Sequence, residues 1–156
     1  MKQHEYKTTL RWTGNRGTGT SDYRAYARNH EITGPLKTTT LHGSSDAHFR
    51  GDASKYNPED LLVASLSACH MLSYLHLCAV NNVVVMAYHD DATGTMAENP
   101  DGSGQFTEVT LHPRVTITRE SDAAKALQLH GDAGKLCFIA RSVNFPVRHE
   151  PVIYQG

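Results

Sequence analysis

From Leu61 to Val80 the chain runs through LLVASLSACHMLSYLHLCAV without an Asp, Glu, Lys or Arg, yet two cysteines and two histidines lie inside the run. A segment this apolar has to be hidden from water, and that requirement limits the fold more than any other feature. Its length suits a bilayer span. However, Ser65, Ser67, His70, Ser73, Tyr74 and His76 interrupt it, and no flanking basic cluster orients it. On a helical wheel the apolar residues lie on every side, the mark of a helix buried in protein. We expect a core helix and no membrane partner.

The residues before the run give the helix a start. Asn57 can cap, Pro58 fits the first helical position, and Glu59 and Asp60 sit at the positive end of the helix dipole. Asn81-Asn82 should end it, so the helix is placed at about Pro58–Val80. The chain has 156 residues and fits one domain, 1–156, with an N-terminal strand meander and loop (1–50) and a helix–strand–helix–strand core (51–156). Lys plus Arg number 15 against 16 for Asp plus Glu, which gives no electrostatic case for nucleic acid. The N-terminal MKQHEYKTTLRW has no apolar core of signal-peptide length, and three cysteines are no disulfide framework. A reducing cytoplasm is the expected location.

Residues 4–12, 23–32 and 35–43 read as three strands, with the glycine-rich TGNRGTGTSD as turn geometry between the first two. Residues 44–60 form a long polar loop, in which His48, Arg50 and Asp52 either line a substrate entrance or are simply solvated. Residues 83–94 read as one buried strand. Residues 106–118 read as another, with Val109, Leu111, Val115 and Ile117 on its inner face. Pro113 falls in that apolar phase and calls for an edge or a bulge. ENPDGSGQ joins the two strands as a hairpin connection. Ser121 opens a second helix that Gly131 and Gly134 are placed to break, and FPVRHEPVIY is a last, edge strand. The sum is an α+β domain.

The thiols and imidazoles allow several chemistries. Cys69 and His76 share a helix face but stand two turns apart, about 10 Å along the axis, too far to chelate one ion unaided. No CxxC, HExxH or HxxxH pattern is present, so no metal and no cofactor is expected. Cys69 and Cys78 are nine positions apart and point to opposite sides. Cys78 is then most simply packing, and Cys137 on the second helical segment is the one remaining partner for Cys69. On these facts, a Cys69–Cys137 dithiol and three inert cysteines both stay open. GNRGTG lacks the glycine order of a dinucleotide site and no helix follows it.

YNPEDLLVASLSACHMLSYL, with Ser-Ala-Cys ten residues after the Glu, an arginine in GNRGTGT and a late second cysteine, resembles the OsmC/Ohr family of organic hydroperoxide reductases. The resemblance covers nearly the whole chain in order and spacing. It implies an OsmC-like α+β fold in which two central helices are wrapped by antiparallel strands in an intertwined homodimer. It implies a thiol peroxidase without metal, haem or flavin, acting on organic hydroperoxides and reduced by dithiols or a lipoylated protein. Cys69 would then be the peroxidatic cysteine, Cys137 the resolving one, and Arg16 and Glu59 the pair that activates Cys69. The chemistry is sound: a thiol near pKa ~8.5 is slow until a fixed cation favours its thiolate, and a guanidinium held by a carboxylate is such a cation.

Glu59 and Cys69 stand ten residues apart on one expected helix, about 15 Å along its axis. Each site should therefore join Arg16 and Glu59 of one subunit to Cys69 and Cys137 of the other. The sequence also departs from better-known members: His70 stands where Phe is common, and CFIARSVNFPV lacks the proline that many carry after the second cysteine. Two other functions fit the same residues. One is a cysteine hydrolase or acyl-transferase using Cys69 with His70 or His76; the other is a non-catalytic dimeric binder of a small apolar ligand.

Overall fold

Asn57 begins the long helix with a reciprocal cap: its Oδ1 accepts from the Asp60 N–H at 2.8 Å, and the Asp60 carboxylate accepts from the Asn57 N–H at 3.0 Å. Helix α1 then runs Pro58–Val80, as expected, and Asn82 ends it in a left-handed conformation (φ 58°). The structure is a computed structural model describing residues 1–156, and it divides into two compact units, Met1–Leu61 and Leu62–Gly156.

The first unit carries an antiparallel sheet of β1 (Thr9–Trp12), β2 (His30–Thr33) and β3 (Leu41–Gly43), in that order. The expected meander is present, but its strands are shorter than the sequence suggested. Residues 23–29 turn instead of extending: Arg28 lies over the rings of Tyr23 and Tyr26 at 4.5 and 3.9 Å and donates to both of their carbonyls. Gly14 is a close-approach position, since a Cβ there would meet Ala27 O at 1.7 Å. Gly17 (φ 116°) needs the backbone freedom of glycine, so the run is turn geometry.

In the second unit three expected strands each break in two. Residues 83–94 give β4 (Val85–Asp90) and β5 (Thr93–Glu98), largely exposed and not buried as expected. Residues 104–117 give β6 (Gly104–Leu111) and β7 (Pro113–Ile117). Val109, Leu111, Val115 and Ile117 are all fully buried, so the alternation was read correctly. The break falls at His112, whose N–H leaves the ladder for Asp90 Oδ1 at 2.6 Å, and Pro113, with no N–H to give, opens the next strand. The hairpin between β5 and β6 closes through Asn99 N–H to Ser103 O at 2.6 Å.

Helix α2 covers Ala123–Leu136. Asp122 caps it by accepting from Lys125 N–H at 3.0 Å; Ser121, expected in that role, instead accepts from Val84 N–H at 2.9 Å. Gly131 and Gly134 do not break the helix. Gly134 is needed for a neighbour, because a Cβ there would lie 2.6 Å from Cε1 of His149. The last segment is β8 (Val147–His149) and β9 (Val152–Gln155), two strands in place of one. The sheet orders are β5-β6-β8 and β4-β7-β9, which makes β8 and β9 edges, as their prolines suggested. Both pair parallel to their neighbours, so these sheets are mixed and not wholly antiparallel.

Two apolar clusters fill this unit. One holds Tyr74, Cys78, Val83, Val115, Ile117, Ala126, Leu129 and Ala133; the other centres on Leu66, Val109 and Leu111. Within the chain α1 buries a single stripe of Leu66, His70, Tyr74 and Cys78, four residues apart each time. Its opposite stripe of Ala64, Ala68, Leu72, His76 and Val80 is exposed. The all-round cover expected for this helix is thus half supplied by the chain itself.

Candidate functional site

The end of α2 brings the second thiol to the first. Cys137 is the residue at which α2 stops; its N–H still bonds Ala133 O, but its backbone has turned extended (φ −67°, ψ 111°). Its side chain is buried (1% exposed), while Cys69 on α1 is partly exposed. Both thiols are free, and Cys69 is near enough to perturb the Cys137 thiol. Burial pushes the Cys137 thiol up to about 11, and the hydrogen bond and charge of Cys69 act in the same sense. In the opposite sense act the backbone N–H groups beyond it: Ala140 N–H donates to Cys137 Sγ at 3.4 Å, and Ile139 contributes similarly. Chemically, this is a dithiol with one reachable sulfur and one sheltered sulfur.

The other two expected site residues lie in the first unit. Arg16 is exposed in the Gly14–Gly19 turn, whose shape is set by Asn15 Oδ1 accepting from the N–H groups of Gly17 and Gly19. Glu59 occupies the first turn of α1. No ion pair joins Arg16 to Glu59 within the chain. Because α1 is continuous, Glu59 and Cys69 are separated by about 15 Å of helix. His48 and Asp52 make local loop contacts, His48 with Asp46, and Asp52 with Ser54 and Lys55, whose ammonium holds that carboxyl well below the usual range, while the Arg50 guanidinium lies 6.0 Å from the Tyr23 ring. Cys78 is packing, enclosed in the core beside Tyr74.

Sequence reasoning missed a buried polar cluster next to the dithiol helix. His70 Nε2 lies 3.1 Å from His130 Nδ1, His149 stacks on His70 at 4.3 Å, and Tyr74 stacks on His130 at 3.8 Å. His70 Nδ1, His130 Nε2 and His149 Nε2 are buried without a hydrogen-bond partner. Burial, then the neighbouring imidazoles, push His70 down to about 3 and His130 down to about 4. Burial also lowers His149, against the pull of Asp90. Asp90 in turn accepts from Ser67 Oγ at 2.5 Å, tying β4 to α1 two residues before Cys69. Stacked rings send their lone pairs along parallel directions, and no group of three or more His, Cys, Asp or Glu side chains converges as metal ligands would. His70 and His130 are sixty residues apart and lie on two helices, so no local spacing could have paired them.

An α+β unit in which a long apolar helix carries one thiol and the end of a second helix carries its partner defines a class of small dithiol proteins. The sequence model of the OsmC-like protein family matches residues 51–151, and the chain belongs to that family. No curated protein matches it. Among solved structures it is similar to an OsmC-like protein of unknown function from Vibrio cholerae, at 28% identity and a TM-score of 0.87, covering 96% of this chain and 100% of that one. It shares its fold with an organic hydroperoxide resistance protein OsmC from Legionella pneumophila (14% identity, TM-score 0.70, 99% of each chain). A further fold relative is the organic hydroperoxide resistance protein OhrB of Bacillus subtilis (19%, 0.66, 96% of this chain and 98% of that one).

Proposed function

We propose that the protein is a cytoplasmic, homodimeric thiol peroxidase that reduces organic hydroperoxides to alcohols. The observation that carries the reading is a partly exposed Cys69 near enough to a buried Cys137 to perturb its thiol. The Cys69 thiolate attacks the outer peroxide oxygen; the O–O bond breaks, the alkoxide takes a proton and leaves as alcohol, and Cys69 becomes a sulfenic acid. Cys137 then displaces water from that sulfur and a disulfide forms, sheltering Cys69 from further oxidation. A dithiol, free or carried as protein-bound lipoamide, restores both thiols. An apolar surround favours a hydroperoxide with a hydrocarbon tail, which gains binding energy that hydrogen peroxide does not.

The bared stripe of α1 supports a second copy of the chain as the partner that covers it. In such a dimer Arg16 and Glu59 of one copy complete the site of the other, which answers the length of helix between Glu59 and Cys69. No observation favours a Cys–His hydrolase. His70 engages His130 through Nε2, its Nδ1 bonds nothing, and His76 is exposed.

Stopped-flow consumption of cumene hydroperoxide with reduced lipoamide tests the reading. Wild type should turn over, Cys69→Ser should be inert, and Cys137→Ser should complete one turnover and then accumulate sulfinic acid by mass. Undiminished turnover by Cys69→Ser would end the assignment.

A further inference from the structure

The two sulfurs of the dithiol are unequal in three ways. Cys69 is partly exposed on α1, whereas Cys137 is 1% exposed behind it, so a molecule the size of a thiol reductant can reach only the first. Cys137 marks the junction between α2 and the single 3-10 turn Ala140–Ser142, with its carbonyl accepting from Arg141 N–H at 3.1 Å. The Ala140 N–H donates to its sulfur at 3.4 Å. The rate and direction of thiol–disulfide exchange depend on which sulfur is attacked, on access and on the leaving thiol's pKa; the raised pKa of Cys137 slows its departure, and access to Cys69 sets the direction. An attacker arriving at Cys69 from solvent sends the electron pair to the buried Cys137 sulfur, which already accepts from the Ala140 N–H.

We propose that the oxidised protein is reduced with a fixed polarity: the reductant sulfur joins Cys69, and Cys137 leaves as the thiolate, received by the Ala140 N–H group. This rests on the peroxidase reading above and adds the regiochemistry of its recovery step. The balance is simple. A thiolate of an external dithiol forms a bond to Cys69 Sγ, the Cys69–Cys137 bond breaks, and its electron pair goes to Cys137 Sγ, which then takes a proton. The second thiol of the dithiol attacks its own bonded sulfur and expels Cys69 thiolate as a cyclic disulfide forms.

The test uses full-length protein oxidised with diamide, which makes the disulfide whether or not the protein is a peroxidase. The sample is mixed briefly with glutathione, quenched with N-ethylmaleimide and mapped by peptide mass. The expected result is glutathione on Cys69 and maleimide on Cys137, in excess over the reverse pattern on the order of tenfold. Glutathione on Cys137 with maleimide on Cys69, an even split, or failure of diamide to form the disulfide would each overturn the proposal. A parallel sample oxidised with cumene hydroperoxide separates the two readings. If it forms no disulfide while the diamide sample maps to Cys69, the peroxidase assignment falls and the polarity stands.

Discussion

His70 follows Cys69 in the chain, but the two side chains face different problems. Adjacent helix positions are turned about 100° from each other, so Cys69 stays near solvent while His70 enters the core. There it meets His130 and His149, and three ring nitrogens are left without partners. The titratable and polar groups around this stack are Ser67, Tyr74 and Cys78 of α1, Tyr88 and Asp90 of β4, and His130 of α2. Burial holds His70 at about 3 and His130 at about 4, against about 6.5 in an unfolded chain. Below about pH 6.5 the unfolded chain takes up protons that the folded chain refuses, so stability is full above that pH and falls as pH drops toward 4 and 3. Urea unfolding at about pH 7.5 and about pH 5.5 should differ by roughly 2–4 kcal/mol, near 1.4 kcal/mol per pH unit for each neutral histidine. His70→Phe should remove about half of that difference. An unchanged difference in His70→Phe would mean that other groups set the acid response.

At the scale of elements, the two helices were readable in different degrees. The bounds of α1 were legible because its ends carry local signals, the Asn57–Asp60 cap and the Asn81-Asn82 stop. Asn57→Ala leaves the Asp60 N–H without its side-chain acceptor. It should lower stability by about 1 kcal/mol in a denaturant melt, with little change in m-value. A loss below the error of the melt would show that the first turn of α1 does not contribute to global stability. Helix α2 was harder to read. Gly131 and Gly134 look like breakers, and the reason Gly134 is tolerated, the His149 ring against it, comes from fifteen residues further on. The strands behaved likewise. Alternation identified the buried Val109, Leu111, Val115 and Ile117, but the break at His112 depends on Asp90, twenty-two residues earlier, taking its N–H.

At the scale of the whole molecule, the exposed stripe of α1 is the outstanding fact. Leu72 is 63% exposed and Val80 62%, in a helix that carries no charged side chain beyond Asp60 in its first turn. By length and composition α1 could also cross a membrane, but its buried stripe of His70 and Tyr74 takes part in a polar cluster that a lipid-facing helix would not assemble. A second copy laid on the bared stripe accounts for both faces. Leu72→Glu should convert a dimer to a monomer in sedimentation experiments and reduce peroxide turnover with it, because Arg16 and Glu59 then no longer reach the neighbouring Cys69. A Leu72→Glu protein that stays dimeric with full activity would place the interface elsewhere.

The sequence by itself determined the α+β class, the span of α1 and the buried phase of the 106–118 segment. These follow from local physics: caps, periodicity, and an apolar run that has to be covered. Only tertiary structure decided that Cys137 is buried while Cys69 is partly exposed, that single strands split between two mixed sheets, and that three histidines share one core pocket. Each of these depends on atoms that meet across twenty to eighty residues of chain. The energy of such a meeting, a desolvated thiol or a diverted N–H, is written in no local stretch of sequence.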